Sequence, residues 1–271
     1  MYEAHWNLSK KPFRNDLNLS FAYMWEEYEE ALARMQYWAA DGKRLAVLTG
    51  PSGVGKSYLL ALLTRDIKRR GDIVATVPNP SLAPAEFLQY VLTLYGHDEA
   101  GSSKSESLAL LTQFASENAA QNTRTYLLID EAQAIGDPQT LEEINLILNL
   151  ADGARTLFSI VLAGEPALRG TLNACAGLRQ KIEIGAELST LDLKGTAGYL
   201  AHRIEVAGGK PGIFDDHAIK ALFDWSKGIP RLVNIAADLA LVAAYGEGKT
   251  RVDVAALETG LEEIQSQTAS A

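Results

Sequence analysis

The chain has 271 residues, 47% hydrophobic and 22% charged, the balance of a globular protein able to bury one large core or two modest ones. Its 25 Lys and Arg face 34 Asp and Glu, a net charge of −9, which excludes a uniformly basic nucleic-acid surface while leaving room for a local patch. The single cysteine, Cys175, excludes an internal disulfide and any multi-cysteine metal site, and suits a small packed position in a reducing compartment. The start, Met1-Tyr2-Glu3-Ala4-His5-Trp6, lacks the basic and then apolar regions of a signal peptide. The longest soft apolar run, 239–245, is too short to cross a bilayer. These features predict a cytoplasmic protein, reaching a membrane only peripherally through a partner.

In chain order, Trp25-Glu26-Glu27-Tyr28-Glu29-Glu30 opens an N-terminal helix with an acidic solvated face. Leu45-Ala46-Val47-Leu48-Thr49 reads as a buried strand, ended by a Gly-rich turn. Leu59, Leu60, Leu62, Leu63 and Ile67 then recur at helical spacing over 56–70, and Lys68-Arg69-Arg70 places cations at the helix end, where they complement its carbonyls. A strand over 73–77 follows, then a turn at Pro78-Asn79-Pro80 and helices over 83–95 and 106–120, with 96–104 read as a polar, mobile loop between them. Strands over 126–129 and 157–163 flank a helical pattern at Leu141, Ile144, Leu146, Ile147, Leu148 and Leu150, and a short strand is expected over 181–188. Beyond Leu191 only helices are expected, over 194–207, 215–226, 230–245 and 252–267, with Asp215-Asp216 as an N-cap. The organisation implied is an N-terminal helical segment (1–44), an α/β nucleotide-binding core (45–190) and a helical lid (191–271).

Gly50-Pro51-Ser52-Gly53-Val54-Gly55-Lys56-Ser57 matches G-x-x-x-x-G-K-[ST] in full, between a strand and a helix as that motif requires. Glycines let backbone N–H groups wrap a β-phosphate, the helix contributes its positive end, Lys56 reaches the β and γ oxygens, and Ser57 ligates Mg²⁺. Tyr58 follows directly and closes the candidate nucleotide-binding stretch.

Leu127-Leu128-Ile129-Asp130-Glu131 puts two carboxylates at the carboxyl end of a strand, the sheet edge where such a ligand lies. Asp130 fits the Mg²⁺ shell and Glu131 fits the group that orients and polarises an attacking water. A small-molecule kinase, whose acceptor is not water, has no need of this pair. Gln133 reads either as a contact to the γ-phosphate region or a neighbouring subunit, or as a solvated loop amide. His5, His97, His202 and His217 are scattered without ligand spacing, so zinc or iron is not expected.

Pro12-Phe13, Ala31-Leu32-Ala33-Arg34-Met35, the phosphate loop, Leu128-Ile129-Asp130-Glu131-Ala132-Gln133, Leu162-Ala163-Gly164-Glu165-Pro166-Ala167-Leu168, His202-Arg203-Ile204 and Gly228-Ile229-Pro230-Arg231-Leu232-Val233-Asn234 together resemble the AAA+ ATPases of the general secretion pathway A-protein (ExeA) type. The likeness runs from Met1 to about Val254. It implies a P-loop AAA+ fold, a five-stranded parallel sheet flanked by helices with a C-terminal helical lid, assembling into rings or filaments with ATP between subunits. It places Glu165 near the family's polar sensor and Arg231 at the lid arginine that reads the γ-phosphate. Relatives carry Gln-Arg where this chain has Gln180-Lys181, and lysine lacks arginine's planar fork, so Arg179, with Arg169 as the second candidate, is expected to act as the trans-acting finger. Many relatives carry Gln at Glu165; a carboxylate there repels phosphate unless paired. Phe13, Tyr23 and Tyr28 either flank an adenine or pack in a core.

The function expected is an ATP- and Mg²⁺-dependent ATPase whose nucleotide cycle assembles or remodels a partner complex. Members of the secretion type continue into a membrane span and a cell-wall-binding region; neither occurs in these 271 residues, so an envelope role is expected to run through a separate protein. Two alternatives stand beside it. One is an ATP-dependent DNA-binding regulator like the transposition ATPases of this AAA+ branch, and the other is a slow ATP-bound switch.

Overall fold

A computed structural model describes residues 2–97, 103–173 and 175–268, with side chains up to 262. Residues 98–102, within the stretch expected to be a mobile loop, lie outside the described residues. Residue contacts gather into two compact units, one of residues 26–52 and 56–188, the other of 1–25, 53–55 and 189–271.

The first unit runs α1 (Glu26–Asp41), β1 (Leu45–Thr49), α2 (Lys56–Arg69), β2 (Ile73–Val77), α3 (Pro84–Leu94), α4 (Lys104–Ala120), β3 (Thr125–Ile129), α5 (Pro138–Asn149), β4 (Ala151–Asp152), β5 (Arg155–Thr156), β6 (Phe158–Gly164), α6 (Leu168–Asn173), α7 (Ala176–Arg179) and β7 (Ile182–Glu187). Five strands form one sheet in the order β2-β3-β6-β1-β7, every pair parallel. All residues of β1, β3 and β6 are buried, which is why their sequences are unbroken apolar runs rather than alternating ones. The edge strand β7 has one covered face and alternates accordingly.

Because the sheet is parallel, the carboxyl ends of β1, β6 and β3 lie side by side on one edge. The P-loop leaves β1 there, Glu165 follows β6, and Asp130 and Glu131 follow β3. Leu45, Leu127, Ile129, Ile160 and Leu162 share a core with Leu88, Val91, Leu111, Ile144 and Leu178.

The apolar pattern announces neither the β4–β5 hairpin nor α6 and α7. The hairpin strands have two residues each and are fully exposed, while the two helices span only six and four residues, too short to show a period. Cys175 sits buried at the N-cap of α7, with its thiol donating to Glu142 at 3.2 Å.

The second unit holds α8 (Leu193–Val206), α9 (Asp216–Ser226), α10 (Pro230–Gly246) and α11 (Val254–Thr268). Asp215 caps α9 by accepting the Ala218 N–H at 2.7 Å, as its residue type predicts. The N-terminal Tyr2, Trp6, Leu8, Phe13 and Phe21 complete this unit's core against Leu200, Ile204, Val233 and Leu241. Phe13, 3% exposed, is thus a core residue, and Tyr28, 2% exposed, is buried on α1 of the first unit. Arg203 is buried, and its guanidinium donates to the carbonyls of Pro12 at 2.5 Å and Arg14 at 3.0 Å and to the Tyr199 hydroxyl at 2.8 Å. That fork fixes the N-terminal segment onto the helices of its unit.

Candidate nucleotide site

The P-loop has the backbone a phosphate cradle needs. Gly53 and Gly55 sit at φ +81° and +106°, where a side chain would be strained, and the Gly50 N–H donates to Gly164 O at 3.2 Å, tying the loop's base to the end of β6. Lys56, only 4% exposed, opens α2 and donates from Nζ to Gly50 O and Pro51 O, both at 2.9 Å. Its ammonium therefore lies folded inside the loop, within the volume the loop encloses.

Asp130 is 8% exposed at the end of β3. Burial raises its carboxyl above the usual carboxylate range, opposed by hydrogen bonds from the Ser57 hydroxyl and the Glu131 N–H, the latter at 2.9 Å. Ser57 and Asp130 are thus already side by side. A buried carboxylate carrying a desolvation burden, next to a hydroxyl and an ammonium, is a donor set that fits Mg²⁺ beside a phosphate.

Glu131 occupies the left-handed region at φ 51°, a sparsely populated conformation for a non-glycine residue. Gln133 stabilises its side chain: Gln133 Nε2 donates to Glu131 Oε2 at 2.5 Å, and Gln133 Oε1 accepts the Glu165 N–H at 2.9 Å. A β-carbon on Gly164 would stand 2.5 Å from Gln133 Oε1, so the glycine at the end of β6 is what admits this amide. Glu165 enters this cluster through its backbone N–H.

Arg179 ends α7, is exposed, and lines a cavity of about 460 Å³ with Arg34 and Arg169. Arg169 is held by Glu187 at 2.5 Å and Arg34 by Glu30 and the carbonyl of Gly185, whereas Arg179 has no ion-pair partner among the described residues. Arg34 joins this cluster from α1, a position that motif spacing gives no reason to choose. Lys181 instead points its ammonium at the amide oxygens of Asn145 and Asn149. Burial, with the Arg44 charge nearby, holds the Lys181 ammonium below the ordinary lysine range.

In the second unit, Arg231 donates its N–H to Gly53 O at 3.2 Å, one residue after Pro230 begins α10. A β-carbon on Gly53 would lie 2.9 Å from Arg231 Cβ and 3.0 Å from Ile229 Cγ2. Gly228, at φ +71°, passes so close to Leu191 that a β-carbon would stand 1.9 Å from its carbonyl oxygen. The Gly-Ile-Pro-Arg run thus combines a glycine that must lack a side chain, a proline at a helix start and an arginine that seats the loop tip.

Residues 39–172 match the family model described as an AAA domain. The chain is 32% identical over 258 residues to general secretion pathway protein A of Aeromonas hydrophila, an alignment covering 93% of this chain and 46% of that protein. It therefore spans about half the length of this relative. Its fold is similar to Cdc6p of Pyrobaculum aerophilum (TM-score 0.69, 16% identity, 90% of this chain and 70% of that one). It is likewise similar to the ADP form of Aeropyrum pernix ORC2 (0.68, 14%, 93% and 73%) and the Thermotoga maritima RuvB Holliday junction branch migration motor (0.60, 16%, 87% and 67%). The P-loop between β1 and α2, the five-stranded parallel sheet and these likenesses give the chain the P-loop AAA+ fold, with an AAA domain over residues 39–172 and similarity to general secretion pathway protein A.

Proposed function

We propose that this chain binds ATP with Mg²⁺ and hydrolyses it at the carboxyl edge of the sheet. The observation that carries the reading is the meeting of Lys56, Ser57 and Asp130, with Glu131 held by Gln133 at the same strand end. Backbone N–H groups of residues 50–58 receive the phosphates, and the Lys56 ammonium exchanges the carbonyls of Gly50 and Pro51 for β and γ oxygens. Ser57 and Asp130 would hold Mg²⁺, which would supply charge neutralisation at the phosphates. Glu131 orients the attacking water and accepts its proton, and Gln133 keeps that carboxylate aimed. Arg231 reads the γ-phosphate, Glu165 serves as the polar sensor position, and Arg179, which has no ion-pair partner among the described residues, reaches a neighbouring subunit's nucleotide.

The trans role of Arg179 makes the active form a homo-oligomer, ring or filament. The likeness to a secretion-pathway protein suggests that the cycle assembles or remodels an envelope-associated partner, with this chain peripheral to the inner membrane on the cytoplasmic side. Among the described residues no helix is long and apolar enough to cross a membrane. Calorimetric titration with ATP and Mg²⁺ tests the binding step. Wild type should bind and Lys56→Ala should lose about tenfold or more in affinity; equal binding by both would refute the assignment.

A further inference from the structure

A second cavity, of about 590 Å³, lies wholly within the helical unit, away from every residue assigned above. His5, Trp6, Asn7, Lys210, Thr250 and Arg251 line it, and no lining residue is a carboxylate. In a chain of net charge −9 this local balance is unusual.

Its cause is visible nearby. Glu247 and Asp253 both bind Lys249, at 2.7 and 2.8 Å, and Asp253 also caps α11 through the Ala256 N–H at 2.9 Å. The local carboxylates are thereby committed, and Arg251 and Lys210 have no ion-pair partner among the described residues. The frame is fixed: Val252 N–H donates to Ile213 O at 2.8 Å, and His5 Nε2 donates to Lys249 O at 2.7 Å. Gly212, at φ +91°, lies under the guanidinium, with Arg251 Nη2 at 3.8 Å from where its β-carbon would be. A side chain there would be strained by that φ, while its β-carbon would make only ordinary van der Waals contact with Arg251.

We propose that this cavity binds the phosphoryl group of an organic phosphate monoester. Two uncompensated cations match a dianion, where a carboxylate or a phosphodiester would neutralise only one. The Arg251 fork, the Lys210 ammonium, the Thr250 hydroxyl and the Asn7 amide supply more donors than a carboxylate's two oxygens use. The T-shaped His5 and Trp6 rings, 4.6 Å between centroids, form a wall for the ester's organic part. The volume exceeds that of phosphate alone.

The test uses the Lys56→Ala chain saturated with nothing at the P-loop, so that phosphate bound there does not confuse the reading. Phenyl phosphate, dimethyl phosphate and benzoate are each titrated while the backbone amide resonances of Gly212, Thr250 and Arg251 are followed. Phenyl phosphate should shift these resonances saturably, about tenfold more tightly than either monoanion, and each of Lys210→Ser and Arg251→Ser should weaken it about tenfold. No saturable shift, equal binding of the monoanions, or binding indifferent to both substitutions would overturn the proposal. ATP turnover of the two variants in the wild-type background should be unchanged, which separates this site from the nucleotide site.

Discussion

Gln133 ties Glu131 to the end of β6, donating to its carboxylate at 2.5 Å while accepting the Glu165 N–H at 2.9 Å. The amide therefore fixes the direction of a carboxylate whose backbone is already in an uncommon left-handed conformation. Replacing Gln133 by Ala should lower kcat for ATP about tenfold and leave KM within about twofold, because the lost contact orients the base and does not hold the nucleotide. Steady-state phosphate release checks this, and a change confined to KM would contradict it.

Glycines 53 and 228 give a ranked pair. Gly228→Ala forces a β-carbon onto the Leu191 backbone, where neither partner can yield, and should lower the melting temperature strongly. Gly53→Ala meets the Arg231 and Ile229 side chains at φ +81° and should cost about 1–2 kcal/mol while weakening ATP binding. Thermal unfolding of both variants reads the ranking, which a more destabilised Gly53→Ala would reverse.

Asp130 makes a pH-dependent contribution of known sign. Burial raises its folded pKa, so the ionised carboxylate costs the folded state stability at neutral pH, and that cost is relieved as pH falls through the raised value. Asp130→Asn should therefore unfold at an equal or higher temperature than wild type near pH 7 without nucleotide, while losing Mg²⁺-dependent turnover. A marked loss of stability in that variant would show that the carboxylate is not strained by desolvation.

Arg203 tests what fixes the N-terminal segment. Arg203→Met leaves the carbonyls of Pro12 and Arg14 without their donor and should cost about 2–4 kcal/mol in denaturant unfolding. It should also speed tryptic cleavage after Lys10 and Arg14. Arg203→Lys should recover little, since one ammonium cannot span three acceptors.

The legible parts of this fold are those where physics leaves few options. Leu45 to Thr49 and Leu127 to Ile129 are apolar without alternation because both sheet faces are covered, and Gly53 and Gly55 of the loop are required by their φ angles. Gln133 left two readings open because nothing in its neighbours' spacing shows that Gly164 admits its side chain from another strand. Arg34 is 145 residues from Arg179 in sequence, and only the fold brings both to one cavity. The pairing of residues 1–25 with the C-terminal helices rests on the buried Arg203 fork and on aromatic packing at long range, which local patterns do not encode.

The role proposed for Glu131 is to activate water for ATP cleavage beside the loop of Lys56. Phosphate release from ATP and Mg²⁺ by Glu131→Gln, with nucleotide binding recorded in the same sample, tests it most directly. Turnover should fall by about a hundredfold or more with ATP still bound. Turnover within about twofold of wild type would contradict it.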